Sequence, residues 1–115
     1  MYVTGVSERK FTERLRATPT RPGVYLMRDE QQQVLYVGKA ASLRHRLQFY
    51  FGATTNLEPK IRQLVARVRD FEFIVTESES EALILENTFI KGKKPKYNAR
   101  LKDDKTYPYL KIGLN

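Results

Sequence analysis

The sequence predicts an α+β fold: one small, mainly antiparallel β-sheet flanked by helices. Three observations predict it. The 115 residues are 41% hydrophobic and 30% charged, which suits a single soluble domain with one core. Apolar residues recur at helical spacing in some stretches and in short β-rich runs in others. Two of those runs are separated by a brief polar segment, the pattern of an antiparallel hairpin.

The elements follow in order. Phe11 and Leu15 share one side of a short helix over Glu8–Ala17 that must stop before Pro19. The run Arg21–Met27 is β-rich and is followed by the polar stretch Asp29–Gln33 and then Val34–Gly38. These two strands alternate imperfectly, as expected where both faces are covered. Ser42 caps a helix reaching Phe51, with Leu43, Leu47 and Tyr50 on one side and Gly52 at its end. A helix over Leu57–Arg69 aligns Leu57, Ile61, Leu64, Val65 and Val68, and Pro59 is tolerated in its first turn. Phe71, Phe73 and Val75 alternate along a third strand. Ser78 and Glu81 form a capping box that opens a helix reaching Ile90. A Lys-rich segment, Lys91–Lys96, and a polar loop then lead to a last strand at Tyr107–Ile112. The domain is expected to occupy residues 1–100. Residues 101–115 are expected to form a strand-bearing extension that opens the next region of a longer protein.

Charge narrows the function. Twenty-one Lys and Arg face thirteen Asp and Glu, a net charge of +8, which favours a polyanionic partner, nucleic acid first. No apolar run approaches the roughly 20 residues that cross a bilayer, so no membrane role is expected and a cytoplasmic location fits. The chain has no cysteine and one histidine, which excludes a disulfide framework and argues strongly against a zinc site.

Glu86 is the strongest candidate on physical grounds. On a helical wheel it falls between Ala82 and Leu83 behind and Phe89 and Ile90 ahead, inside the apolar stripe. A carboxylate there must be paired, protonated or bound to a cation. A core-edge Glu bonded to Arg or Tyr fits this pattern as well as a metal ligand does. Tyr25 and Tyr36 are expected side by side on neighbouring strands, either as a reactive pair or as two aromatics stiffening a sheet. Lys39 lies three residues beyond Tyr36, where a cation could lower a phenol's pKa. Gly38 is expected to let the backbone approach a phosphate. Arg46, three residues after Leu43 and four before Tyr50, leans toward the sheet. Arg44 points elsewhere, as a solvated or DNA-tracking residue. Lys91, Lys93, Lys94, Lys96, Arg100 and Lys102 make a basic strip able to follow a phosphate backbone. His45 has no partner at metal-ligand spacing and is expected on the surface.

Taken together, Gly23-Val24-Tyr25, Tyr36-Val37-Gly38, Lys39-Ala40, Arg46, Glu86 and Pro95-Lys96-Tyr97-Asn98 resemble the GIY-YIG nuclease family. The run Pro95–Asp103 and Tyr107-Pro108-Tyr109 resembles its UvrC branch in particular. Val24 and Val37 replace the name-giving isoleucines and keep the β-branched packing. The resemblance implies a GIY-YIG type fold and DNA cutting with one Mg²⁺ or Mn²⁺ ion held by Glu86. It implies that Tyr36 is the general base, that Tyr25 orients the attacking water and that Arg46 and Lys39 act in catalysis. Gly38, Tyr50 and Asn98 would support the site, and Lys39, Arg44, Lys94 and Lys96 would contact DNA. It further implies the 3′-side incision at damaged double-stranded DNA in nucleotide excision repair. A UvrB-like helicase subunit would be engaged through domains outside this chain. A stand-alone nuclease with another substrate and a non-catalytic nucleic-acid-binding module are the alternatives.

Overall fold

The computed structural model describes residues 11–52 and 57–102. Its elements run α1 (Thr12–Ala17), β1 (Gly23–Arg28), β2 (Val34–Ala40), α2 (Leu43–Phe51), α3 (Pro59–Arg67), β3 (Asp70–Val75), α4 (Glu79–Lys93) and α5 (Lys96–Lys102). β1 lies between β2 and β3 and pairs antiparallel with both. The expected antiparallel sheet with flanking helices is therefore present, and β2 is one of its edges.

Local chemistry explains the elements. In the hairpin turn, Asp29 Oδ1 accepts the N–H groups of Gln31 and Gln33 at 2.9 and 3.0 Å, while Gln32 adopts φ 69°. Ser78 Oγ accepts the Glu81 N–H at 3.2 Å, and the Glu81 carboxylate accepts the Glu77 N–H at 2.7 Å. These bonds satisfy donors that a helix start leaves open. Pro59 opens α3, where its missing N–H costs nothing.

Strand alternation then sorts the core into two layers. On one face Tyr25, Met27, Tyr36 and Ala40 pack with Leu43, Leu47, Tyr50 and Phe51 of α2, Leu64 of α3 and Phe71 of β3. On the other, Val24, Leu26 and Val37 meet Ala82 of α4, with Leu85, Phe89 and Ile90 partly buried against them. Burying each such side chain stabilises the fold by roughly 1.5–3 kcal/mol. The β1–β2 register shifts between Met27 and Arg28. The resulting bulge lets consecutive residues Leu35 and Tyr36 both join the first core.

Some elements differ from expectation. The first helix is seen only over Thr12–Ala17; residues 8–10 and the strand expected at Tyr107–Ile112 lie outside the described residues. α4 continues beyond Ile90 to Lys93, where Lys94 ends it in a left-handed conformation with φ 46°. The polar loop expected after Lys96 is instead the helix α5. Pro95 precedes its first turn, the run Lys96–Lys102 contains no Gly or Pro, and Tyr97 anchors it in the core. α5 crosses residue 100, the expected domain boundary. Among the described residues no helix is long and apolar enough to cross a membrane.

Candidate active site

The site is built on the edge strand β2. Tyr36 and Gly38 face α2, while Val37 faces α4. Gly38 stands opposite Tyr25, whose ring lies directly over it. A Cβ at Gly38 would come within 2.3 Å of Tyr25 Oη and 2.4 Å of Cζ. This glycine therefore makes room for a tyrosine, a more specific reason than the expected approach to phosphate. Gly23 has a parallel role, since a Cβ there would sit 2.3 Å from the Ile74 carbonyl and 2.7 Å from Leu43 Cδ1. It lets β1, β3 and α2 close together.

Tyr25, Tyr36 and Tyr50 form one cluster. The ring centroids lie 6.1 Å apart for Tyr25–Tyr36, 5.8 Å for Tyr25–Tyr50 and 6.5 Å for Tyr36–Tyr50. The Tyr25 and Tyr50 hydroxyls share a hydrogen bond of 3.0 Å. Burial, then the charges Tyr50 and Tyr36 would carry, hold the Tyr25 phenol well above its ordinary range, against the pull of Arg46. Tyr25 is thus a neutral hydroxyl suited to orienting a neighbour.

The second cluster lies on the opposite face of β2. Glu86 of α4 is only 8% exposed, as its place in the apolar stripe predicted. Burial raises its pKa, opposed by the Lys39 charge and by a hydrogen bond from the Lys39 backbone N–H. Tyr36 and Lys39, three residues apart on β2, leave on opposite faces; the Lys39 charge acts on Glu86, and that of Arg46 on Tyr25.

Asn98 occupies the open edge between the clusters. Its Oδ1 accepts the Val37 N–H and its Nδ2 donates to the Val37 carbonyl, both at 2.9 Å. The side-chain amide thereby imitates a neighbouring strand and ties α5 to β2. The two arginines of α2 also separate. Arg46 is exposed, with its guanidinium 6.0 Å from the Phe49 ring. Arg44 is not free in solvent as expected: its Nε donates to the Thr18 carbonyl at 2.7 Å, and its N–H donates to the Pro19 carbonyl at 3.0 Å. His45 is exposed as expected, and so are Lys91, Lys93, Lys94 and Lys96.

A divalent ion fits this donor set. Among the described residues no group of three Asp, Glu, His or Cys could enclose a metal. Glu86 is instead a largely buried carboxylate that gains from a cation. A single carboxylate suits Mg²⁺ or Mn²⁺, which keep waters and take phosphate oxygens as further ligands.

A family model, described as the UvrC-like GIY-YIG domain, matches residues 21–99. The chain belongs to the UvrC-like GIY-YIG family. UvrABC system protein C of Syntrophomonas wolfei is 55% identical over 102 residues, covering 89% of this chain and 17% of that protein. Its counterpart in Synechococcus sp. strain JA-2-3B'a(2-13) is 57% identical over 99 residues, covering 86% and 16%. The chain thus spans about a sixth of the length of these curated relatives. The crystal structure of the GIY-YIG N-terminal endonuclease domain of UvrC from Thermotoga maritima, bound to magnesium as its catalytic divalent cation, is similar with a TM-score of 0.68. It is 33% identical and covers 76% of this chain and 94% of that one. An asparagine-to-alanine variant of that domain also binds the catalytic cation, as do three tyrosine-to-phenylalanine variants.

In this UvrC-like GIY-YIG domain the two name-giving motifs are the paired strands β1 and β2, and their glycines are steric necessities. Sequence reasoning missed the packing role of Tyr97, which joins the tyrosine core; Pro95 ahead of a run of helix formers was the available signal. It also missed buried Thr18 as the anchor of Arg44, a contact between residues 26 apart that no local pattern reports.

Proposed function

We propose that this chain is a divalent-metal-dependent DNA endonuclease domain that makes the 3′-side incision at damaged DNA during nucleotide excision repair. The observation that carries the reading is Glu86. It is a largely buried carboxylate of α4 beside Lys39, and Lys39 shares the edge strand β2 with Tyr36 of the Tyr25–Tyr36–Tyr50 cluster. Tyr36 takes the proton of the attacking water, which forms a new P–O bond as the bond to the leaving strand breaks. Tyr25, held neutral and bonded to Tyr50, orients that water. Arg46 faces the negative charge developing on the phosphate. Mg²⁺ or Mn²⁺ held by Glu86, when bound, stabilises the leaving oxygen as a Lewis acid. Lys39 lends positive charge beside the carboxylate, and Asn98 fixes the strand from which Tyr36 and Lys39 project.

Retention of the cation by the three tyrosine-to-phenylalanine variants of the Thermotoga maritima domain supports a division between ion-holding and hydroxyl-bearing residues. The exposed Lys94 and Lys96 extend the positive surface along which duplex phosphates would run. Domains outside this chain engage a UvrB-like helicase subunit, and the protein works in the cytoplasm. Mapping the cut on a lesion-bearing duplex, with Mg²⁺ and the helicase subunit present, tests this reading. A nick on the 3′ side, abolished by chelator and by Glu86→Gln, is expected. Cutting that survives Glu86→Gln would overturn it.

A further inference from the structure

All six phenylalanines of the chain fall within the described residues, and Phe49 alone among them is exposed, at 45%. Its neighbours in α2 behave differently. Leu47, Tyr50 and Phe51 are buried, whereas Phe49 and Arg46, one helical turn apart, share a stripe bordering the tyrosine cluster. The Phe49 ring meets Tyr50 edge-on at 5.3 Å, and Tyr50 is hydrogen-bonded to Tyr25. Arg46 pulls on the Tyr25 phenol from the same rim. A single exposed apolar side chain is ordinarily without consequence. Here it is a flat ring held by a cation on one side and a buried tyrosine on the other, beside the residues assigned to the reacting phosphate.

We propose that Phe49 is a stacking platform for an unpaired nucleobase next to the scissile phosphate. The inference rests on the nuclease reading above. An aromatic face serves any base, because every base presents a π-surface, and the neighbouring guanidinium pairs with the flanking phosphate. In intact duplex the bases already stack on one another. The platform therefore acts where a base has lost its partner and gives the domain a preference for locally opened DNA.

The chain contains no tryptophan, so Phe49→Trp places a single indole fluorophore at the platform. The probes are a fully paired duplex and the same duplex with a short unpaired segment, titrated against parent, Phe49→Trp and Phe49→Leu chains. Expected are quenching of the introduced indole's emission by the opened duplex and about tenfold weaker binding of that duplex by Phe49→Leu. Paired duplex should bind Phe49→Leu as it binds the parent. The salt dependence of binding should not change, because a ring releases no counterions. Equal binding of both probes by parent and Phe49→Leu, without quenching, would overturn the platform and leave the nuclease reading intact. Failure of the parent to bind either DNA would overturn both.

Discussion

Gly38→Ala is the most demanding test of how the site is assembled. The added Cβ would stand 2.3 Å from Tyr25 Oη, 2.4 Å from Cζ and 2.9 Å from Cε1. Ordinary contact begins near about 3.5 Å, so ring or strand must give way by about 1 Å. The ring has nowhere to go. Tyr25 is 2% exposed and is flanked by Tyr36 and Tyr50. Overpacking of this kind costs about 1–3 kcal/mol. Loss of the 3.0 Å Tyr25–Tyr50 hydrogen bond adds about 0.5–1.5 kcal/mol. At about 5 °C per kcal/mol for a domain of this size, a combined cost of about 2–4 kcal/mol lowers Tm by about 10–20 °C. Thermal unfolding followed by circular dichroism measures this directly. Combining Gly38→Ala with Tyr25→Phe removes the nearest clashing atom, so the pair should cost less than the sum of the single changes. A Gly38→Ala chain that melts within about 2 °C of the parent would refute the steric account of this glycine.

Glu86→Gln should give a folded protein that binds no Mn²⁺ at this position, as read by electron paramagnetic resonance. Burial raises the folded-state pKa of Glu86, so without metal the parent gains stability as pH falls and loses it as pH rises through that raised value. In chelator at neutral pH, Glu86→Gln should therefore be at least as stable as the parent, and that advantage should shrink on acidification. An advantage that grows toward acid would contradict the assigned direction. Asn98→Ala leaves two Val37 backbone groups without their 2.9 Å partners. Water can reach the opened edge, so the loss should be about 1–3 kcal/mol in denaturant unfolding. Arg44→Ala should lower stability through the lost Thr18 contact without changing the salt slope of DNA binding. Arg46→Ala should spare stability and slow cutting by about a hundredfold or more. The reverse ranking in melting and incision assays would show that the roles of the two arginines are exchanged.

The fold class and the candidate site were legible where the signal is local. Glu86 could be placed because a charge inside a 3.6-residue apolar stripe is visible on a helical wheel, and it is buried as that wheel requires. Tyr25 and Tyr36 could be paired because a short polar turn sets hairpin register. The Lys39 charge beside Glu86 was not foreseen, because strand alternation gives the face a residue leaves from but not the helix residue that meets it there. Arg44 was read as solvated because its partner, the Thr18 carbonyl, is 26 residues away and belongs to a loop. α5 was hidden by its basic composition, which resembles a solvated segment until Tyr97 is seen in the core and Asn98 on the edge of β2.

In the proposed mechanism the ion and the base are held by different residues on the two faces of β2. The most direct measurement is the single-turnover incision rate of Tyr36→Phe as a function of Mg²⁺ concentration, with the substitution placed in the full-length protein in complex with the helicase subunit. The predicted result is an unchanged Mg²⁺ midpoint with a plateau rate lower by about a hundredfold or more, because only the proton-accepting oxygen has been removed. A plateau close to the parent's, or a shifted midpoint that accounts for the whole loss, would contradict it.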